Sequence, residues 1–232
     1  MSERVIRVWD LPLRLFHWLL LAAVTGALVS IKIGGSAALV WHGRFGQAVL
    51  GLIVFRLVWG LIGSSTARFA SFVRGPKAIR DYLAGRWAGS GHNPVGALSV
   101  LALLGLFGFQ AATGLFTYDA ISFRGPMAAA VSSDTVSLLS DWHTQTEWWL
   151  YGLIALHVAA VLWYACIRKE RILRPMLNGR KTVAAGDERY RDNEGGGVLR
   201  VLIAVAIALA VVWTTSGVFN PPPPPPPPDL GW

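Results

Sequence analysis

The sequence predicts an all-α membrane protein, built as a four-helix transmembrane bundle with a fifth, C-terminal transmembrane helix. Of the 232 residues, 53% are hydrophobic and only 15% are charged. That balance is typical of a multi-spanning membrane protein rather than of a soluble domain with a large core. The apolar residues fall into five runs, each long enough to cross a bilayer as a helix. Eleven tryptophans fit the aromatic belts that form at membrane interfaces.

Glycine, proline and charged residues separate the five runs and mark the helix ends. Pro12 precedes the first run and suits the opening turn of a helix. The third run is rich in glycine, which lets another helix or a flat cofactor approach the backbone closely. No convincing cleavage site follows the first run, so we expect it to be retained as an anchor. The predicted helices cover residues 13–33, 42–63, 94–116, 141–168 and 198–219, with an interfacial helix at 76–87.

The distribution of positive charge predicts the topology. Seventeen of the 21 Lys and Arg residues lie in the N-terminal segment and in two links, at 64–93 and 168–200. The rest are Lys32, Arg44 and Arg124 on the other side and Arg56 within the second helix. The positive-inside rule then places the N-terminus and both basic links in the cytoplasm and the C-terminus outside. The net charge of +8 is therefore a topology signal, and no nucleic-acid partner is predicted.

Histidines dominate the candidate functional residues, because an ionisable side chain inside a bilayer is costly and marks function. The fourth run carries His143 and His157, fourteen residues apart. On a helix this is roughly 21 Å of rise, with the side chains about 40° apart around the axis. The topology pairs His17 with His157 toward the cytoplasm and His42 with His143 toward the outside. Two histidines that face each other across a bundle can be the axial ligands of a b-type haem. The pattern thus predicts a four-helix transmembrane di-haem bundle with these four histidines as metal ligands.

Each of these residues also has a structural interpretation. His42 and His143 lie at predicted helix ends, where a histidine is often only an interfacial polar residue. His92, in the sequence GHNP, falls outside the pairing, and a structural role at the start of the third helix is favoured over a place at a quinone or haem edge. Arg56 is either an internally paired cation or a cofactor-binding residue that neutralises a haem propionate, and its planar guanidinium suits a carboxylate. Arg14 and Arg44, each near a proposed ligand, could serve the same purpose or be interfacial.

The single cysteine limits the redox chemistry available to the chain. Cys166 has no partner for a disulfide within the chain, for a cysteine-ligated iron–sulfur cluster or for covalent haem. Any haem is therefore expected to be bound without covalent attachment.

Several segments resemble the bacterial cytochrome b-561 family, which includes the b-type cytochrome subunits of membrane-bound nickel–iron hydrogenases. They are RVWDLPLRLFHW, FRLVWGLIGSSTARF, GPKAIRDYL, GHNP, DWHT, LHVAAVLWY and RPMLNGRK. The resemblance covers roughly residues 4–182. The resemblance implies two non-covalent haems b in a four-helix bundle, with ligands on the first, second and fourth helices that match the four histidines. It also implies electron exchange between quinones and periplasmic redox partners. The expected location is the bacterial inner (cytoplasmic) membrane, with the N-terminus cytoplasmic and the C-terminus periplasmic.

The leading hypothesis is an integral-membrane di-haem cytochrome that transfers electrons between the quinone pool and a periplasmic or membrane-bound redox partner. The residues leave two alternatives open. One is a cytochrome subunit that anchors a hydrogenase-like dehydrogenase, although one cysteine cannot supply the metal–thiolate ligands of hydrogen chemistry. The other is a non-redox transporter or assembly subunit, in which the intramembrane His and Arg residues line a transport path.

The chain divides into a cytochrome b four-helix di-haem domain at 1–182, a cytoplasmic linker at 183–197, the fifth transmembrane helix at 198–219 and a periplasmic proline-rich tail at 220–232. The helix and the tail lie outside the family resemblance. Eight consecutive prolines favour a polyproline II rod of roughly 25 Å. Lipid is one expected partner of the fifth helix. Together with the rod, this helix is a candidate docking element for a periplasmic cytochrome or a larger membrane redox complex; a solvated, disordered tail fits the sequence equally well.

Overall fold

A computed structural model describes residues 2–87, 89, 91–119, 123–187 and 190–220 of the chain. The predicted proline rod, from residue 221 onward, lies outside the described residues. Most of the described chain is helical. The elements in order are β1 (Glu3–Arg7), α1 (Leu11–Ile33), α2 (Ser36–Ile62), α3 (Phe69–Phe72), α4 (Pro76–Leu83), α5 (Pro94–Gly114), α6 (Ser133–Gln145), α7 (Glu147–Leu162), α8 (Leu173–Asn178), β2 (Arg180–Ala184) and α9 (Gly197–Thr214). A 3₁₀ turn at Ala128–Ala130 precedes α6, and a π-helical turn at Trp163–Ile167 follows α7.

Five spans in the described part of the chain are long and apolar enough to cross a membrane. They are α1, α2, α5, the combined span Ser133–Ile167 and α9. The predicted all-α membrane fold is therefore confirmed. The combined span contains α6, α7 and the π-helical turn. A helix is present at the position of the predicted interfacial helix: α4, which ends at Leu83.

The fourth span differs most from its predicted limits of 141–168. It begins earlier because Ser132 caps α6, its hydroxyl accepting a hydrogen bond from the Thr135 N–H at 3.3 Å. The stretch that follows is polar, so hydropathy alone does not identify it as part of the span. The span is interrupted at Thr146, whose hydroxyl lies 2.6 Å from the Trp142 carbonyl. This short interruption separates His143 on α6 from His157 on α7.

Helix α2 is the centre of the packing. It contacts α1 along most of its length and also contacts α5 and α9, whereas α7 packs on α5. The contact with α9 is close at Gly51, where an added Cβ would lie 2.9 Å from a Val212 methyl group. Ala204 and Ala208 are the buried residues of α9, as expected where small side chains let two membrane helices approach. Helix α9 is thus packed against the bundle in this chain.

A small sheet closes one end of the bundle, which we call the basic face: β1, α3, α4, α8 and β2 lie there. Strands β1 and β2 pair antiparallel, with Glu3 opposite Ala184 and Arg7 opposite Arg180. The Val8 and Trp9 N–H groups both donate to the Gly179 carbonyl, at 2.8 and 3.2 Å. The N-terminus and the 168–200 link therefore share one face of the bundle, as the charge distribution predicts. The α1–α2 link and the segment between α5 and α6 lie at the other end, the opposite face.

Candidate haem-binding sites

The four candidate ligands lie on three of the membrane-spanning segments. His17 is on α1, His42 is on α2, and His143 and His157 are on α6 and α7. We call His42 and His143 the outer pair, which is nearer the opposite face, and His17 and His157 the inner pair, which is nearer the basic face. Both α2 and the α6–α7 span run from the opposite face to the basic face, so their residues can be compared by depth.

The outer pair is in direct ring contact. The ring centroids of His42 and His143 are 6.1 Å apart, and the ring planes are nearly perpendicular, at 83°. With metal–imidazole bonds of about 2 Å, two imidazoles on opposite sides of one metal ion have centroids roughly 6 Å apart. The observed separation is therefore suited to a shared metal ion between the two rings.

Both rings of the outer pair are held by backbone carbonyls. His42 Nδ1 lies 2.9 Å from the Ala27 carbonyl oxygen, and His143 Nδ1 lies 3.0 Å from that of Gln110. A carbonyl only accepts hydrogen bonds, so each Nδ1 carries the proton and each Nε2 keeps a free lone pair. Metal-bound histidines typically donate their second ring N–H in this way, which fixes the tautomer and the ring orientation.

Residues of helix α5 hydrogen-bond to His143 and pack against its ring. The Gln110 amide donates to the His143 carbonyl at 2.8 Å and its oxygen accepts from the Thr146 hydroxyl at 2.6 Å. Thr113 Oγ1 lies 3.2 Å from His143 Nδ1. At Gly114 an added Cβ would be 2.9 Å from His143 Cε1, so only glycine leaves room for this ring. Gln110 and Thr113 were not identified from the sequence, because a Gln and a Thr in an apolar helix acquire a partner only once the packing is known.

The inner pair has no ring contact like that of the outer pair. His17 and His157 interact electrostatically, while α7 packs on α5 and makes little backbone contact with α1. His17 Nδ1 is buried and has no hydrogen-bond partner in the described part of the chain. An unsatisfied buried nitrogen is costly, and metal coordination or a bond to a bound group would satisfy it. The structure thus brings the inner pair into one region but does not bring its rings together.

Arg56 lies on α2 at the depth of the inner pair. It follows His42 by fourteen residues, the same interval that separates His143 from His157. The residue is 1% exposed, and its Nη1 and Nη2 atoms have no hydrogen-bond partner among the described residues. The guanidinium carbon is 4.7 Å from the centroid of Phe69 and 5.9 Å from that of Phe72. These aromatic faces stabilise the cation but leave its N–H donors free for an anion.

His92 is held beside this arginine, between two aromatic rings. Its ring centroid is 4.6 Å from that of Trp9 and 4.8 Å from that of Phe72, and its Nδ1 is buried without a partner in the described part of the chain. Burial first, then the positive charge of Arg56 and the nearby His17, lower the pKa of His92 to about 3. The imidazole is therefore neutral in the protein alone.

The other arginines considered from the sequence have different contacts. Arg14 donates to the Leu177 carbonyl and so braces α8 against α1. Arg44 lies over the ring of Trp41, 4.9 Å from its centroid. Of the arginines singled out from the sequence, Arg56 is the one whose terminal nitrogens are buried and have no hydrogen-bond partner among the residues that the structure describes.

The residues present fit haem b: two pairs of histidines at two depths, and a buried guanidinium suited to a carboxylate. No curated protein and no solved structure was found to match the chain. The model of the family described as prokaryotic cytochrome b561 matches residues 8–179. The match includes all five histidines and Arg56, and it ends before β2 and α9. The chain belongs to the prokaryotic cytochrome b561 family.

Proposed function

We propose that this protein is a di-haem b-type cytochrome that transfers electrons between the quinone pool and a periplasmic or membrane-bound redox partner. Family membership already indicates a multi-pass membrane cytochrome that binds haem b and takes part in electron transfer. The proposal adds the number of haems, their ligands and the two ends of the electron path.

The observation that carries the proposal is the geometry of the outer pair. His42 and His143 have centroids 6.1 Å apart, and each Nδ1 is bonded to a backbone carbonyl. Two neighbouring imidazoles that each keep a free Nε2 lone pair are what a bis-histidine haem requires. A merely interfacial histidine has no need of a second histidine at this distance.

The inner pair is proposed to hold the second haem. His157 lies fourteen residues beyond His143, or roughly 21 Å along the helix direction. His17 and His157 are electrostatic neighbours, and α1 and α7 make little backbone contact with each other. Arg56 supplies a buried positive charge at this depth. Haem iron, when bound, supplies reversible one-electron chemistry whose potential depends on its ligands, hydrogen bonds and burial.

The proposed membrane orientation places the basic face in the cytoplasm of a bacterial cell. The positive-inside rule supports this orientation, because the links at 64–93 and 168–200 carry most of the Lys and Arg residues. The chain would then lie in the inner membrane with its C-terminus in the periplasm. Quinone is proposed to enter from the lipid.

Helix α9 and the proline rod are proposed to help dock the partner. One side of α9 packs on α2, whereas Val198, Leu199, Leu209 and Trp213 on α9 are exposed. An exposed apolar helix side fits lipid or a second membrane subunit. The helix is absent from the matched family region, which supports a role specific to this chain and its partner.

A reduced-minus-oxidised absorption spectrum of the purified protein, with haem quantified per chain, tests the proposal. We expect two non-covalent haems b per chain. Replacing His143 with leucine should remove one of them, and added imidazole should restore part of its spectrum. The matched control is Trp142→Phe, next to His143 on an exposed position of α6, which should keep both haems. A colourless wild-type protein, or two haems retained in His143→Leu, would refute the ligand assignment.

A further inference from the structure

We propose that Arg56 and His92 together form a carboxylate-binding site beside the inner pair, and that this site takes a propionate of the haem bound there. The inference rests on the proposed function and goes further, because it makes His92 part of the cofactor site. It also explains why three buried nitrogen atoms of these two residues, Arg56 Nη1 and Nη2 and His92 Nδ1, have no hydrogen-bond partner among the described residues.

The first step is the state of Arg56. An arginine stays charged in proteins, and a buried charge without a partner is strongly unfavourable. Asp10 acts on Arg56 through its charge but gives the Nη1 and Nη2 atoms no hydrogen bond. Asp10 accepts hydrogen bonds from the Leu13 N–H at 2.7 Å and the Trp59 indole N–H at 3.0 Å. Arg56 Nη1 and Nη2 therefore remain available for an anion that the described side chains do not supply.

The second step is the location of His92. Its ring and the Arg56 guanidinium share Phe72, whose centroid is 4.8 Å from the His92 ring and 5.9 Å from Arg56 Cζ. His92 also interacts electrostatically with Arg56 and with His17. One charged donor and one neutral ring with an unpartnered nitrogen therefore lie together, next to a candidate haem ligand.

The third step is the rigidity of this arrangement. Gly60 lets Phe69 pack directly on α2, since an added Cβ would be 2.1 Å from the Phe69 ring. Phe69 in turn lies over Arg56, while Trp9 and Phe72 hold His92 from both sides. Four segments of the chain thus fix the two groups before any ligand binds, and preorganised donors bind an anion more strongly.

The fourth step is the chemical class of the ligand. A guanidinium with both terminal nitrogens free is suited to a planar carboxylate in a two-point interaction. Arg56 is 1% exposed and packs on Phe69 and Phe72 of α3, so a lipid headgroup at the surface is a poorer occupant. A haem bound at the inner pair carries its own carboxylates in its two propionates.

The test uses the intact haem-loaded protein, with the haem propionates labelled with ¹³C. Redox-difference infrared spectra and redox titrations would be compared for the wild type, Arg56→Lys, Arg56→Gln, His92→Phe and His92→Asn. We expect the bands of one labelled propionate to shift in Arg56→Lys and His92→Phe. His92→Asn, whose amide can still donate, should restore the wild-type band. The control is Arg44→Gln, an arginine stacked on Trp41 near the opposite face.

The redox titration provides the second readout. Loss of the positive charge in Arg56→Gln should favour the oxidised form of one haem at least tenfold, a decrease of about 59 mV in its midpoint potential. Arg44→Gln should leave this potential unchanged. If Arg56→Gln fails to assemble, the two His92 variants provide the test. Propionate bands that are identical in wild type, His92→Phe and His92→Asn would overturn the inference.

Failure of the inference differs from failure of the proposed function. Two haems per wild-type chain with propionate bands that no variant changes would leave the di-haem function standing and remove the carboxylate site. A wild-type protein without haem would remove both. Propionate bands that stay fixed while the potential falls would mean that Arg56 acts through charge alone, which also overturns the site.

Discussion

At the scale of single residues, the outer pair shows how backbone packing determines a histidine's chemistry. Both Nδ1 atoms are bonded to carbonyls from neighbouring helices, Ala27 on α1 and Gln110 on α5. The packing therefore selects the Nε2 lone pair of each ring. If these helices were isolated and not packed together, neither histidine would have a carbonyl partner to fix its tautomer.

Gly114 offers a residue-scale prediction. In Gly114→Ala the new Cβ would meet the His143 ring at 2.9 Å, so the ring must move and the outer haem should be lost or its absorption band displaced. Haem per chain and the reduced spectrum measure this effect. Gly105→Ala is the matched control on the same helix, because an added Cβ meets nothing within 4 Å of Gly105. Equal spectra for both variants would show that the ring does not need this space.

The residue types of the candidate sites could be predicted from the sequence, but their partners could not. An ionisable residue within an apolar run can be recognised from the sequence alone, as with His157 and Arg56. The carbonyl that orients His42 and the aromatic rings around His92 depend on which helices are neighbours. Neither has a local signal. His92 in particular has no counterpart in the depth pairing, although its ring is held beside Arg56.

At the scale of elements, the β1–β2 pairing is the feature with the weakest sequence signal. Five-residue strands with several charged residues read as loops, and their pairing joins positions about 180 residues apart. Strand geometry makes a prediction, because successive side chains point to opposite sides. Ile6 is 1% exposed and Val5 is 62% exposed.

We therefore expect Ile6→Ala to destabilise the protein by roughly 2–5 kcal/mol, the usual cost of truncating a buried isoleucine. Val5→Ala, one residue away and facing outward, should change stability little. Thermal unfolding in detergent, followed by tryptophan fluorescence, would compare the two. Equal melting temperatures would mean that β1 does not contribute its buried side to the core.

A hydrogen-bonded group connects α4 to the bundle. The Tyr82 hydroxyl bonds that of Tyr164 and accepts from the Asn93 amide at 3.2 Å, while Asn93 caps α5. Burial and the hydrogen bond to Tyr164 raise the pKa of Tyr82 to about 12. An unfolded tyrosine ionises near pH 10, so the stabilisation is fully present below pH 10 and is lost as the pH rises from 10 to 12.

Tyr82→Phe should remove both hydrogen bonds and increase hydrogen exchange and proteolysis in residues 64–87. Tyr118→Phe is the control, because Tyr118 is a 52% exposed tyrosine near the opposite face. Exchange in this region that matches the wild type would show that α4 is held by its other contacts.

At the scale of the whole molecule, the packing of the helices against one another could not be predicted from the sequence. Hydropathy predicted five spans, and charge predicted which ends lie together. The sequence did not indicate that α9 packs on α2, because an apolar helix with few polar residues fits lipid and protein equally well. Ala204 and Ala208 are small residues four positions apart, on one side of α9. This spacing can be recognised as a packing surface only when the partner helix is known.

The location of α9 on α2 leads to a prediction about the whole chain. Gly51, which contacts Val212 on α9, is nine residues from His42, so the two lie on roughly opposite sides of α2. Helix α9 is therefore remote from the candidate ligands, and the matched family region ends before it. Truncation after Gly195 should leave the haem content at the wild-type value.

The same truncation should nevertheless lower the thermal stability and weaken partner binding. It removes the bond from Arg200 to the Ile62 carbonyl, 3.1 Å long, and exposes the α2 surface that α9 covers.

Gly51→Ile is a milder change than the truncation. Its side chain would push α9 away from α2, but the chain would keep its full length. Loss of haem in either variant would contradict the separation of the two sides of α2. Unchanged stability together with an intact redox complex would show that α9 neither supports the bundle nor docks a partner. Wild-type haem content with a lower melting temperature and loss of the partner in both variants would assign cofactor binding to one side of α2 and assembly to the other.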